Sequence, residues 1–225
     1  MASKRARVEA TGSNKAHDVS TITVKTVDGK ESALFLALVD REEAQFILTT
    51  DGPNAILRGF DMVGAKERRP FNSVDPEAKG NYLSVYITVD TDQAAFLEGV
   101  SEKIRTEMAL AKGVEWFPIV PKNERYDSSA VNVKVCLAGD EGVLTALKVK
   151  HNDSMTAGKG WEFLKDQVEA AGQKNRACAF NGAECMVVTK VRPWKRGDKA
   201  GVELIATQLA VKILERKFVD LLPDW

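Results

Sequence analysis

Residues 190–213 read KVRPWKRGDKAGVELIATQLAVKI. The stretch divides into a strand, a basic aromatic turn around Trp194, and a second, longer strand. Trp194 stands among Arg192, Lys195 and Arg196. A flat ring flanked by cations suits a flexible polyanion with stackable bases. The bases lie on the indole and the phosphates meet the guanidinium and ammonium groups. A solvated hairpin with one half-buried Trp has the same local sequence, so the rest of the chain has to decide.

Outward from the hairpin, short strands prevail. TITVKTV (21–27) alternates Ile22, Val24 and Thr26 with outward groups and ends at the turn signal Asp28-Gly29. Residues 32–40 and 44–50 read as further strands, Asp51 to Asn54 as a turn, and 54–63 as a short or edge strand. Residues 64–80 form a loop in which Phe71 stands beside Arg68, Arg69 and Pro70. NYLSVYITVD (81–90) places Tyr82, Ser84, Tyr86 and Thr88 on one face and Leu83, Val85, Ile87 and Val89 on the other. A helix follows, capped by Asp90 or Thr91, with apolar residues at 96, 97, 100, 104 and 108 and a stop at Gly113. Residues 115–130 read as an irregular connector with Trp116, Phe117 and, beside Lys122 and Arg125, Tyr126. The segments 131–142 and 143–153 each hold a strand, with Lys134, Lys148 and Lys150 projecting outward, and a short helix runs from Gly160 to Gly172.

These elements predict a mainly β (α+β) fold, an OB-like Greek-key barrel with one medium helix, a second short helix and extra N-terminal strands. The expected organisation is a disordered basic tail over 1–18, a single OB-like β-barrel domain with an N-terminal β extension over 19–215, and a C-terminal tail over 216–225 ending in Trp225.

Composition sets bounds. The chain has 225 residues, 44% of them hydrophobic, enough for a proper core. Lys plus Arg and Asp plus Glu number 32 each, so any nucleic-acid binding depends on a local basic track. Cys136, Cys178 and Cys185 are odd in number and contain no CxxC pair, which points to a reducing, intracellular compartment without a disulfide framework. If the chain is viral, that compartment is the host nucleus or cytoplasm. No apolar run reaches membrane-spanning length, so no membrane partner is expected. The start, MASKRARVEATGSNK, lacks an apolar signal core; Lys4, Arg5 and Arg7 make at most a weak nuclear address in a frayed tail.

Catalytic readings find little support. AGKGW (157–161) lacks the upstream Gly and the following Ser or Thr of a phosphate loop. No GxSxG elbow is present, and His17 and His151 are the only histidines, without ligand spacing. His151 sits in the turn-like HND, and Arg196-Gly197-Asp198 is a turn. No catalytic set, metal or cofactor is expected.

What recurs is an aromatic beside cations, at Phe71, Tyr126 and Trp194, together with outward lysines at 134, 148, 150 and 190 and a tyrosine face at 82 and 86. The order of elements is similar to that of the OB-fold single-stranded DNA-binding proteins of short-tailed phages and their relatives in large eukaryotic DNA viruses. GNYLSVYITVD with the helix TDQAAFLEGVSEKIRTEMA resembles the family's strand and helix. VNVKVCLAGDEGVLTALKVKHND resembles its central hairpin, and AECMVVTKVRPWKRGDKAGVELIATQLAVKI its closing hairpin. The resemblance covers roughly residues 80–215. It implies a non-catalytic protein that coats and protects unpaired DNA in replication or recombination. It also implies replication proteins as partners of the C-terminal tail; here that tail, FVDLLPDW, keeps a terminal aromatic but few acids. Leu221, Leu222 and Trp225 could equally pack on the domain or on a second subunit of a homodimer. Trp194, Tyr82, Tyr86 and Phe71, with Trp116 as a further candidate, are then expected to stack bases. Arg68, Arg69, Lys134, Lys148, Lys150, Lys190, Arg192, Lys195 and Arg196 are expected to meet phosphates. The alternatives are a β-rich viral structural or assembly protein and, behind it, a small-ligand enzyme or binding module.

Overall fold

The computed structural model describes residues 19–27, 34–39, 42–50, 57–58, 81–120, 130–139, 142, 144–151, 153–170 and 183–213. The tails, the Asp28-Gly29 and 51–54 turns, the 64–80 loop, Tyr126 and Cys178 lie outside them. The strands are β1 (Thr23–Val27), β2 (Leu34–Val39), β3 (Glu42–Glu43), β4 (Gln45–Thr49), β5 (Leu57–Arg58), β6 (Asn81–Thr88), β7 (Glu115–Phe117), β8 (Ala130–Ala138), β9 (Ala146–His151), β10 (Ser154–Lys159), β11 (Glu184–Arg196) and β12 (Lys199–Ile213). Helix α1 (Thr91–Glu107) follows β6 and α2 (Gly160–Ala170) follows β10. The fold is mainly β with two helices among the described residues, an OB-like arrangement, and its strands form one sheet.

β12 is the spine of that sheet. It pairs antiparallel with β11 from Arg196↔Lys199 to Glu184↔Lys212. Its other edge takes three parallel partners in succession: β7 at Lys199–Gly201, β8 at Leu204–Ala206 and β9 at Gln208–Ile213. β8 pairs onward with β6, and β9 with β10. The free side of β11 takes β4, and at Trp194 it meets β2. Among the described residues no pair joins β5 back to β1.

The hairpin turn is tighter than the sequence suggests. Only Gly197 and Asp198 form it, so Trp194, Lys195 and Arg196 are strand residues rather than loop residues. A two-residue connection lets the hydrogen-bonded ladder run to the very end of both strands.

Midway along, the register of β11 against β12 slips between Val188 and Thr189, leaving Thr207 as the extra residue of a bulge. A bulge bends the strand and increases its twist, which the sheet needs in order to curl. Threonines seal the irregularity: Thr189 Oγ1 donates to Phe46 O at 3.2 Å and Thr207 Oγ1 to Val188 O at 3.1 Å. At the same level β12 exchanges β8 for β9.

The inward residues of β6, β8, β9, β11 and β12 form one core with Leu97, Val100 and Ile104 of α1 and Leu164 of α2. Period-2 alternation supplies the sheet side of that core, and the 97, 100, 104 spacing supplies the helix side. Gln93 ties α1 to β4, its buried amide donating to Thr49 O and accepting from Thr49 N, both at 3.2 Å.

Asp90 caps α1 by accepting from Gln93 N at 2.6 Å and from the Gln93 amide at 2.9 Å. The Gln93 backbone bond first, then its side-chain bond, hold the Asp90 carboxyl below its ordinary 3.8. A lowered folded-state pKa contributes stability above the unfolded value that is lost as pH falls through the folded one. Asp90→Ala should therefore cost about 1 kcal/mol near neutral pH. Urea melts should show that cost shrinking below the ordinary value of 3.8, while Asp90→Asn keeps most of the cap and loses the pH dependence.

The helix ends at Glu107, well before Gly113. Ala109 turns left-handed at φ 44°, and the chain then delivers Glu115 N to Asp198 O at 2.8 Å. Pairing of β7 with β12 thus overrides the good helix formers of residues 108–112. The AGKG segment is also explained by packing. It lies in β10 and the start of α2, and a Cβ on Gly158 would fall 2.3 Å from the Phe163 ring.

Candidate nucleic-acid interface

Paired residues on neighbouring strands share a face, so the registers place each candidate side chain. One cross-strand row on the outer face runs Ser84, Lys134, Ile205, Lys190, Gln45 through β6, β8, β12, β11 and β4. Toward the hairpin turn, Glu203 faces Arg192 and Gly201 faces Trp194, with Phe117 of β7 on the other side of Gly201. Tyr86 and Tyr82 lie on the same face of β6, opposite Asn132 and Cys136. Beyond the bulge, Met186, Ala210, Lys148 and Ala157 form one row, and Glu184, Lys212, Lys150 and Met155 the next.

Nearly all the described candidates therefore share one face. Trp194 is half-buried and stacks on Phe117, with ring centroids 5.8 Å apart and planes 28° apart. Lys199 Nζ lies 5.9 Å from the Phe117 centroid. Phe117 is 39% exposed, Tyr86 50% and Tyr82 36%, so flat rings on the β7 and β6 side of β12 are open to a ligand. Gly201 makes the Trp194–Phe117 wall possible. A Cβ there would sit 2.6 Å from the Phe117 carbonyl oxygen and 2.9 Å from Trp194 Cζ2. Gly201→Ala should thus cost about 1–3 kcal/mol through forced displacement, read as a lower urea midpoint.

The wall is braced from the core. Ser101 Oγ, fully buried on α1, accepts from Ile119 N at 3.1 Å and donates to Leu97 O at 2.9 Å. That bond fixes the segment just after Phe117 against the helix.

Two of the candidates, Lys195 and Trp116, do not lie on this face. Lys195 pairs with buried Ala200 and alternates to the face opposite Trp194. Trp116, also paired to Ala200, packs against the core instead of offering a stacking surface. Lys134 and Lys190 are on the outer face, but each is engaged in an ion pair, Lys134 with Glu203 and Lys190 with Glu43. Arg192, Arg196, Lys148 and Lys150 are exposed and make no ion pair with another described residue. Phe71, Arg68 and Arg69 lie outside the described residues.

Phe117 was missed by sequence reasoning. Nothing local separates it from Trp116; only the parallel pairing with Gly201 turns it outward. Exposed Met155 and Met186 beside Lys148 and Lys150 were missed as well.

The two described thiols are both held in their neutral form. Burial raises the Cys136 thiol, against smaller opposing effects of bonds to Ala138 and Tyr82 and of the Arg192 charge. Burial pushes Cys185 up to about 11. Both thiols are buried and protonated at neutral pH, the wrong state for a nucleophile. Among the described residues no group of three or more His, Cys, Asp or Glu could hold a metal, and no helix is long and apolar enough to cross a membrane.

No protein-family model matches the chain, and no curated protein matches it. Among solved structures, the chain is similar to the single-stranded DNA-binding protein of bacteriophage Enc34, at 6% identity and a TM-score of 0.42, over 90% of this chain and 96% of that one. It is also similar to a single-stranded DNA-binding protein encoded by bacteriophage T7, at 12% identity and a TM-score of 0.36, over 79% of this chain and 97% of that one.

Proposed function

We propose that this protein binds single-stranded DNA without catalysis, coating unpaired strands during replication or recombination. The carrying observation is the shared face: the Trp194–Phe117 wall, Tyr82 and Tyr86 lie on the same side of the sheet as Arg192, Lys148 and Lys150. Rings alternating with cations on one surface can stack bases while phosphates are neutralised, at about 1–3 kcal/mol per stacked base. In this reading the C-terminal tail, outside the described residues, contacts replication proteins.

Titration of a labelled oligo-dT at two salt concentrations tests the proposal. Binding should be present at low salt and fall linearly in log K against log salt. With Arg192, Arg196, Lys148 and Lys150 each meeting a phosphate, the slope should be about −3, at roughly −0.7 per neutralised phosphate. No binding at low salt removes the reading.

A further inference from the structure

The charged groups of the outer face are unevenly distributed, and the middle of the face cancels itself. At the Ile205 level, Lys134 and Lys190 flank β12, and each is engaged by a carboxylate, Glu203 and Glu43. Glu203 is only 20% exposed at its side chain and stands directly opposite Arg192 on β11, so it faces two cations at once. Ile205 itself is buried beneath this band. Cations without a described ion-pair partner remain at the two ends: Arg192 and Arg196 beside the aromatic wall, and Lys148 and Lys150 beside exposed Met155 and Met186. Along β12 the wall stands at Gly201 and the lysine end at Ala210 and Lys212. At about 3.3 Å per residue that separation is roughly 30 Å.

Building on the strand-binding reading, we infer that the interface is bipartite. An aromatic subsite at Trp194 and Phe117 and a lysine–methionine subsite at Lys148 and Lys150 are separated by a band that Glu203 and Glu43 keep neutral. A short single strand occupies the aromatic end alone. A strand long enough to cross the band reaches the second subsite, and its phosphates over the band compete with Glu203 and Glu43 for Lys134 and Lys190. The two carboxylates thus limit affinity and sharpen the preference for long unpaired tracts. The gain on crossing follows from tethering: once one end is held, the second contact is intramolecular.

An oligo-dT series from about four to twenty nucleotides, bracketing the ~4–16 an OB fold covers, tests this with the full chain. Affinity should rise in a step when the strand first spans both ends. The pair Lys148→Ala and Lys150→Ala should abolish the step, so that long oligomers gain no more over the shortest than a smooth increase with length would give. Glu203→Gln should tighten long oligomers about three- to tenfold and steepen the salt slope by about one. Glu43→Gln should act in the same direction. Binding that grows smoothly with length, with Glu203→Gln and Glu43→Gln neutral or weakening, overturns the bipartite reading alone. Absence of all binding at low salt overturns the strand-binding reading, and this inference with it.

Discussion

Trp194→Ala is expected to weaken single-stranded DNA binding by about tenfold to a hundredfold, since loss of one stacked base is worth about 1–3 kcal/mol. The effect should sit near the upper end because the substitution removes more than one ring. Phe117 leans on Trp194 at 5.8 Å and loses its wall when the indole goes. Trp194 is half-buried rather than internal, so much of its surface stays wet and the fold should survive its truncation. Trp194→Phe separates the causes, since it keeps a flat ring against Phe117 and should recover most of the affinity. The salt slope should stay near its parent value in both variants, because no phosphate contact is removed. Unchanged affinity in a folded Trp194→Ala protein would move the binding surface elsewhere.

The legible part of the fold was the part written in long alternation. β11 and β12 carry period-2 patterns over many residues, and their pairing follows from the two-residue turn between them. β10 was missed because SMTAGK has no apolar alternation. It is a peripheral strand exposed on nearly every residue, so no burial pressure shaped its sequence. β7 was missed because a three-residue strand preceding Pro118 is held by a partner far along the chain. The same non-locality hid the state of the lysines. Lys134 and Lys190 were rightly placed outward, yet their acidic partners come from other strands, which spacing along one strand cannot show. Lys195 went wrong for the opposite reason. Read as turn, it was free to point anywhere; as strand, alternation assigns it to the other face.

Thr145→Val is expected to be the most damaging conservative change in the sheet. Thr145 is fully buried where β12 leaves β8 and takes up β9. Its Oγ1 donates to Ala206 O at 2.7 Å and accepts from Cys136 N at 2.9 Å, while its own N donates to Cys136 O at 3.0 Å. The hydroxyl therefore satisfies two backbone groups that the change of partner would otherwise leave bare. Valine has nearly the same shape, so packing loss is small and the cost is that of the orphaned groups. Each buried unpaired donor or acceptor costs about 1–3 kcal/mol, for a total of about 2–6 kcal/mol. At about 2–4 °C per kcal/mol for a chain of this size, the melting midpoint should fall by roughly 4–24 °C. Thr145→Ser keeps both bonds and loses one methyl group, so its loss should be about 1 kcal/mol. Thermal melts followed by circular dichroism distinguish the two. If valine is tolerated as well as serine, these two bonds do not hold the strand exchange together. The threonine then owes its place to shape alone.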